Sequence, residues 1–236
     1  MDAYRLAVYT HLAAGTLALV TYWSAALARK GSPLHIAIGR TYLVAMIVVL
    51  VTAAGLSAAF VVRGRPAIGT FLAYLVVITA TACWLAWRAI RTKRAPADYF
   101  GAGFRRLGWL NLGAGLATFA IGVKLGIALL MIFSWVGILG GAAMVRQARR
   151  PQPENRRWWL REHYFNVLGM GVATHIAFLG LGLNRFLAPL GIQPPQLLAW
   201  TLPLAVAILA RIWLDRRYGP AGFDRARGPA TRPGPA

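Results

Sequence analysis

Seven apolar stretches alternate with short polar connections along the chain. Each stretch has roughly the 17–25 residues that an α-helix needs to cross about 30 Å of hydrocarbon. The pattern predicts an all-α fold in which residues 1–218 form one domain with seven transmembrane helices. The predicted spans lie at about residues 6–28, 41–62, 67–87, 107–123, 127–145, 164–183 and 197–214.

Basic residues fall mostly on one side of this pattern. Of the 26 Lys and Arg residues, 21 lie in or beside the first, third and fifth connections and the C-terminal region, and 5 lie in the N-terminus and the other three connections. Connections rich in Lys and Arg stay in the cytoplasm. We therefore expect a multi-pass membrane protein with its N-terminus outside and its C-terminus in the cytoplasm.

Composition agrees with a membrane location. The chain has 236 residues, of which 58% are apolar, and a formal net charge of +20 at pH 7. Topology explains this charge, so we expect the bilayer and its anionic lipids as partners and no nucleic acid. Residues 219–236 are rich in Gly, Pro and Arg, a composition that predicts a disordered cytoplasmic tail. The single cysteine, Cys83, excludes a disulfide framework.

Spans 4 and 5 are joined by only a few residues, and they predict a close helical hairpin. Gly122 and Gly126 are four residues apart, as are Gly137 and Gly141. Such spacing lets helix backbones approach one another closely in lipid. We expect these glycines to pack the hairpin.

Two of the four histidines, His11 and His175, fall in the outer halves of spans 1 and 6. Both lie beside small residues, which would admit a flat ligand or another helix. Two neutral imidazoles from facing helices are a common way to hold a haem iron. One hypothesis is therefore an electron-transfer or redox subunit that binds haem b, with His11 and His175 as axial ligands. A soft metal and a purely structural role are also open for these rings.

The other two histidines, His35 and His163, fall on the cytoplasmic side. Together with Arg40 and Tyr42 they form a candidate site for an anionic or amphipathic ligand. The alternative hypothesis is therefore a carrier or lipid-handling protein. A structural membrane subunit is a third possibility, and the sequence leaves open whether the protein is an enzyme.

The same residues carry a resemblance to a known family. His11, the run at 30–35 (Lys-Gly-Ser-Pro-Leu-His), the run at 39–42 (Gly-Arg-Thr-Tyr) and the later Glu162-His163 pair resemble an uncharacterised family of bacterial multi-pass membrane proteins. The resemblance extends from about His11 to Arg185. It implies a helical inner-membrane protein, and it implies no activity. A redox partner or a second copy of the chain is the expected protein partner.

Overall fold

The computed structural model describes residues 2–149, 153, 156–183, 187–192 and 195–218. These residues are mainly helical and contain no β-strand. The predicted tail at 219–236 lies outside them. The α-helices with defined bounds, labelled α1 to α8, are Ala3–Leu27, Pro33–Val62, Pro66–Arg91, Pro96–Tyr99, Ala102–Leu125, Ala128–Gln147, Trp158–Ile176 and Gln196–Tyr218. A π-helical segment, Ala177–Gly182, continues α7, and a short 3-10 helix, Ala188–Leu190, precedes α8.

Five of these helices are long and apolar enough to cross a membrane, namely α1, α2, α3, α6 and α8. Helices α5 and α7 are also long, with 24 and 19 residues. They are less apolar because α5 carries Arg105 and Arg106 in its first turns, and α7 carries Arg161, Glu162 and His163. Length and composition therefore confirm five of the seven predicted spans within the described residues.

Large apolar side chains cover the outside of the bundle. Val44 and Val51 on α2 are 62% and 68% exposed, and Leu209 on α8 is 66% exposed. Isolated exposed apolar side chains are ordinary, but a wide apolar surface spread over several helices marks contact with lipid or with another protein. Together with the helix lengths, this surface indicates a membrane-embedded protein.

Helix α2 begins at Pro33, directly after its N-cap residue. The side-chain oxygen of Ser32 accepts a hydrogen bond from the backbone N–H of His35 at 3.2 Å, which makes Ser32 the N-cap. Pro33 follows in the first turn, where its missing N–H has no helical partner to lose. Gly31 has a φ of 78° in the preceding turn. This short connection places His35 beside the end of α1.

Glycines bring α5 and α6 into backbone contact. A Cβ atom at Gly115 of α5 would lie 2.7 Å from the backbone nitrogen of Ile138, and a Cβ at Gly141 of α6 would lie 2.6 Å from the carbonyl oxygen of Gly108. Neither position has room for a side chain. The predicted hairpin is therefore present, and its two helices are held together by glycine faces.

The prediction that Gly126 packs the hairpin was wrong. Gly122, Gly137 and Gly141 pack between the two helices as expected. Gly126 ends α5 as its C-cap with a φ of 65°. A left-handed residue is favoured there because it turns the chain sharply out of the helix, and glycine adopts that conformation without steric cost.

Tyr74 of α3 is inserted into the hydrogen-bond ladder of α6. Its hydroxyl donates to the carbonyl oxygen of Phe133 at 2.8 Å and accepts from the backbone N–H of Gly137 at 2.8 Å. Phe133 and Gly137 are four residues apart, so they would otherwise bond to each other. The hydroxyl thus joins α3 to the glycine-packed hairpin.

Helix α3 lies at the centre of the described structure, because it contributes to all three clusters of buried residues. The first cluster joins α1, α2, α3 and α7 and contains Ala18, Tyr42, Ala45, Met46, Cys83, Ala86 and Met170. The second contains Phe71, Tyr74, Leu130, Phe133, Ile176 and Trp200. The third contains Leu85, Ala89, Tyr99, Phe100, Phe104 and Trp158.

The basic connections meet at one end of the bundle, which we call the basic end. It comprises residues 28–32, 92–101, 148–149 and 156–157 and the helix termini beside them. The ammonium of Lys93 lies 5.9 Å from the ring centroid of Trp159. The guanidinium of Arg161 on α7 lies 3.2 Å from the carboxylate of Asp215 on α8. These contacts bring the ends of α3, α7 and α8 together.

We predict that Gly141→Ala destabilises the protein by about 1–3 kcal/mol, because the added methyl group would be forced against the backbone of α5. The matched control is Gly140→Ala, since a Cβ at Gly140 meets no atom within 4 Å. Thermal unfolding in detergent, followed by tryptophan fluorescence, measures the difference. Equal melting temperatures for the two variants would contradict the glycine-packed hairpin.

Candidate functional site

Both ring nitrogens of His175 have partners. Its Nδ1 lies 2.7 Å from the carbonyl oxygen of Gly171, and the indole N–H of Trp23 donates to its Nε2 at 2.9 Å. A carbonyl oxygen only accepts, so Nδ1 carries the proton and Nε2 offers the lone pair. Trp23 occupies that lone pair. The ring is therefore neutral and has no free nitrogen with which to bind a metal.

His11 lies far from His175 and Trp23. Its Nδ1 lies 2.9 Å from the side-chain oxygen of Thr52 on α2. His175 contacts α1 at Trp23, which is twelve residues beyond His11 and hence about 18 Å further along the helix at 1.5 Å per residue. The described structure therefore does not bring His11 and His175 together as a facing pair.

A haem held by His11 and His175 does not fit this arrangement. Two axial imidazoles must approach one iron from opposite sides. Here His11 lies on α1 about 18 Å from Trp23, the α1 residue that His175 contacts, and Trp23 has taken the lone pair of His175. The sequence placed the rings at similar depths because it does not show how α7 is aligned against α1.

His35 and His163 have a different pattern of bonds. Nδ1 of His35 lies 3.0 Å from the carbonyl oxygen of Ala25 on α1, and Nδ1 of His163 lies 3.1 Å from the carbonyl oxygen of Ala86 on α3. Each Nδ1 must therefore donate its proton. The lone pair of each Nε2 has no hydrogen-bond partner among the described residues. A backbone carbonyl that fixes the tautomer in this way is typical of histidines that bind metals.

His35 on α2 and His163 on α7 both lie toward the basic end of their helices. Tyr42 and Met170 pack in the same buried cluster. His35 is seven residues before Tyr42, and His163 is seven residues before Met170, which is about two helical turns in each case. Both helices run away from the basic end, so both histidines lie two turns nearer to that end on the same helix faces.

Burial and neighbouring charges act on the ring of His163. Residue 163 precedes the predicted span that begins at 164. Burial lowers the pKa of His163, the hydrogen bond to Ala86 opposes this effect, and the nearby His35 and Lys30 lower the pKa further. The neutral ring, which keeps its Nε2 lone pair, is thereby favoured.

Arg40 and Tyr42 do not complete the four-residue site that the sequence predicts. Arg40 is exposed, whereas Tyr42 is 3% exposed and lies inside the bundle. The hydroxyl of Tyr42 lies 3.4 Å from that of Thr174, and its ring packs edge-on against Tyr22. Of the four residues, only His35 and His163 influence one another electrostatically.

One polar contact at the basic end was missed in the sequence. The hydroxyl of Tyr99 donates to the carboxylate of Glu162 at 2.9 Å. Burial raises the pKa of Glu162, and the hydrogen bond from Tyr99 and the positive charges of Arg161 and Arg211 oppose that effect without cancelling it. The position of Glu162 directly before His163 could have marked it as part of the bundle. Nothing in the sequence marks Tyr99, which lies in a connection.

An aromatic cluster covers this contact. Tyr99 is 1% exposed, and its ring centroid lies 4.8 Å from that of Phe100 and 5.0 Å from that of Trp158. Burial and the neighbouring carboxylate of Glu162 raise the pKa of Tyr99, so it stays protonated as the donor. The basic end is therefore closed beside the histidine pair by a packed layer of aromatic rings.

Comparison with known proteins adds no assignment, because no protein family, no curated protein and no solved structure matches the chain significantly. Within the part of the chain that the structure describes, no group of three or more His, Cys, Asp or Glu side chains could hold a metal ion. The site must therefore be interpreted from the two open imidazoles themselves.

We predict that Glu162→Gln is more stable than the wild type above neutral pH and that this advantage shrinks toward pH 5. A carboxyl with a raised pKa in the folded state stabilises the fold below its unfolded pKa, and this contribution is lost as the pH rises through the folded value. The amide cannot ionise, and its oxygen still accepts from Tyr99. Melting temperatures across the pH range measure the effect, with Asp98→Asn as an exposed control. A difference in melting temperature between Glu162→Gln and the wild type that is the same at all pH values would contradict the raised pKa of Glu162.

Proposed function

We propose that this chain is a seven-span protein of the bacterial inner membrane with its N-terminus outside and its C-terminus in the cytoplasm. The arrangement of the described helices supports this proposal, because the basic connections share one end of the bundle. In addition to the five apolar helices, α5 and α7 would cross the bilayer. Helix α5 packs against α6, and α7 packs against α1, α3 and α8, and the polar side chains of Asn111 on α5 and Asn166 on α7 are buried within the bundle.

Topology reporters test the orientation. A reporter that is active only in the periplasm should function after Arg65 or Lys124 and should fail after Arg149 or at the C-terminus, because the 21 to 5 distribution of basic residues keeps the basic end inside. A cytoplasmic reporter at the same positions should give the opposite pattern. Periplasmic activity at the C-terminus would contradict the seven-span topology.

We propose further that the protein binds one ligand at the basic end of the α1–α2–α3–α7 bundle, through His35 and His163. The observation that supports this most directly is that both rings donate Nδ1–H to a backbone carbonyl and keep Nε2 without a hydrogen-bond partner. Neither Nε2 is among the buried side-chain atoms without a partner in the described residues, so both are accessible to a ligand.

Native mass spectrometry of the protein purified from bacterial cells in mild detergent tests this proposal. We expect an additional bound mass that is reduced at least tenfold in a His35→Ala/His163→Ala double variant, because both binding nitrogens are lost. The matched control is a His11→Ala/His175→Ala double variant, which should retain the mass. If the mass is missing from the wild type, or equal in all three proteins, the ligand site is not at this pair.

A further inference from the structure

We infer that a groove between α2 and α3, at the end of the bundle opposite the basic end, holds one acyl chain of an anionic phospholipid whose phosphate binds to Arg63 and Arg65. This site is separate from the proposed histidine site. Arg63 is the C-cap of α2 and Arg65 is the N-cap of α3, so both lie in the turn that joins the two helices. The groove begins within one helical turn of them, at Val61 and Gly69.

The groove is narrow and follows the direction of the helices. It has a volume of about 320 Å³ and runs from Val61 to Ala54 on α2 and from Gly69 to Val76 on α3. Seven positions on each helix correspond to about 10 Å at 1.5 Å per residue. None of the side chains that line it is larger than valine. Its length and width therefore suit one hydrocarbon chain.

The floor of the groove forms where the two helix backbones touch. A Cβ atom at Gly69 would lie 2.8 Å from the carbonyl oxygen of Ser57. Ser57 is 3% exposed, and its hydroxyl donates to the carbonyl oxygen of Ala53 at 2.7 Å, so it has no proton left for a ligand. Ala54 and Ala58 beside it are exposed and too small to fill the space. The groove is thus open to an apolar group from outside the bundle.

The charge at the end of the groove suits a phosphate. Neither Arg63 nor Arg65 forms an ion pair with a carboxylate among the described residues. The guanidinium of Arg63 lies 3.6 Å from the ring centroid of Tyr4, and that of Arg65 lies 5.7 Å from the ring centroid of Phe60. An aromatic ring contacts the flat face of a guanidinium and leaves the N–H groups at its edge free. Those N–H groups match two oxygens of a phosphate.

These charges favour a phospholipid over a helix from a second copy of the chain. In a symmetric dimer the same face of both chains would meet. Arg63 and Arg65 of both copies would then approach one another, and like charges repel. A phospholipid instead places a phosphate at headgroup level and continues as a chain into the hydrocarbon.

The headgroup decides which phospholipid binds. An acyl chain is in equally apolar surroundings in the groove and in the bilayer, so the chain alone gives little preference for this site. The phosphate must supply most of it. A headgroup with a net negative charge is favoured, because the two arginines repel the ammonium of a zwitterionic headgroup.

Photocrosslinking tests the inference, with phosphatidylglycerol that carries a diazirine in one acyl chain as the probe. The purified protein is reconstituted in phosphatidylethanolamine vesicles that contain a minor fraction of this probe, and mass spectrometry identifies the labelled residues. We expect labels in the groove, at Ala54, Ala58 or Ala73. Added unlabelled phosphatidylglycerol should remove these labels, and added phosphatidylethanolamine should not.

Variants separate the headgroup contact from the groove. Arg65→Ala should reduce groove labelling by roughly tenfold, because charge-assisted hydrogen bonds to the phosphate are lost. Arg65 is changed alone, since Arg63 also stacks on Tyr4 of α1. Ala58→Phe should reduce the labelling as strongly by filling the groove. Its matched control is Ala13→Phe, at an exposed alanine of α1 outside the groove. Labels near the basic end should persist in every variant, which shows that each protein is folded.

Three outcomes would overturn the inference. The first is labelling spread evenly over the lipid-facing surface, or equal removal of the groove labels by both lipids. The second is unchanged groove labelling in Arg65→Ala. The third is a protein dimer in native mass spectrometry that Ala58→Phe disrupts and Ala13→Phe does not, because the groove would then belong to a second copy of the chain.

Discussion

The arrangement of the basic end depends on one constraint, namely that a polar N–H held between helices must find an acceptor. In apolar surroundings an unpaired donor costs several kcal/mol, as a rough estimate. The Nδ1–H of His35 meets this requirement at Ala25, and that of His163 meets it at Ala86. Each bond fixes the tautomer of its ring, and the fixed tautomer leaves Nε2 as an acceptor. The chemistry of the site therefore follows from the way in which the bundle satisfies its donors.

The acceptors are available because of the way the helices end and pack. Ala25 lies in the last turn of α1, where carbonyl groups have no helical partner, and both Lys30 and His35 donate to it. Ala86 lies inside α3, and its carbonyl offers a second lone pair to His163. Helix α3 is in turn joined to the α5–α6 hairpin by Tyr74, whose insertion requires Gly137. The histidine pair thus rests on the glycine-packed hairpin through the central helix.

Sequence reasoning succeeds where a local signal exists. Ser32 and Pro33 mark the start of α2, and the short connection between spans 4 and 5 marks the hairpin. It fails where a contact depends on the alignment of distant helices. Trp23 and His175 are 152 residues apart, and no local pattern pairs them. The acceptors that orient His35 and His163 are backbone carbonyls of alanines, which any residue would provide. The composition therefore suggested a histidine site, and the packing favours His35 and His163 for the proposed site.

The tautomers of the four histidines give the most direct test of this account. Nitrogen-15 NMR of histidine-labelled protein, prepared without haem and assigned with single His→Ala variants, reports which ring nitrogen carries the proton. At about pH 9, above the usual pKa of a histidine side chain, we expect a protonated Nδ1 and an Nε2 with the chemical shift of a free acceptor in both His35 and His163. We expect Nε2 of His175 to show the shift of a hydrogen-bonded acceptor. Protonated Nε2 in His35 or His163, or a free Nε2 in His175, would contradict the account.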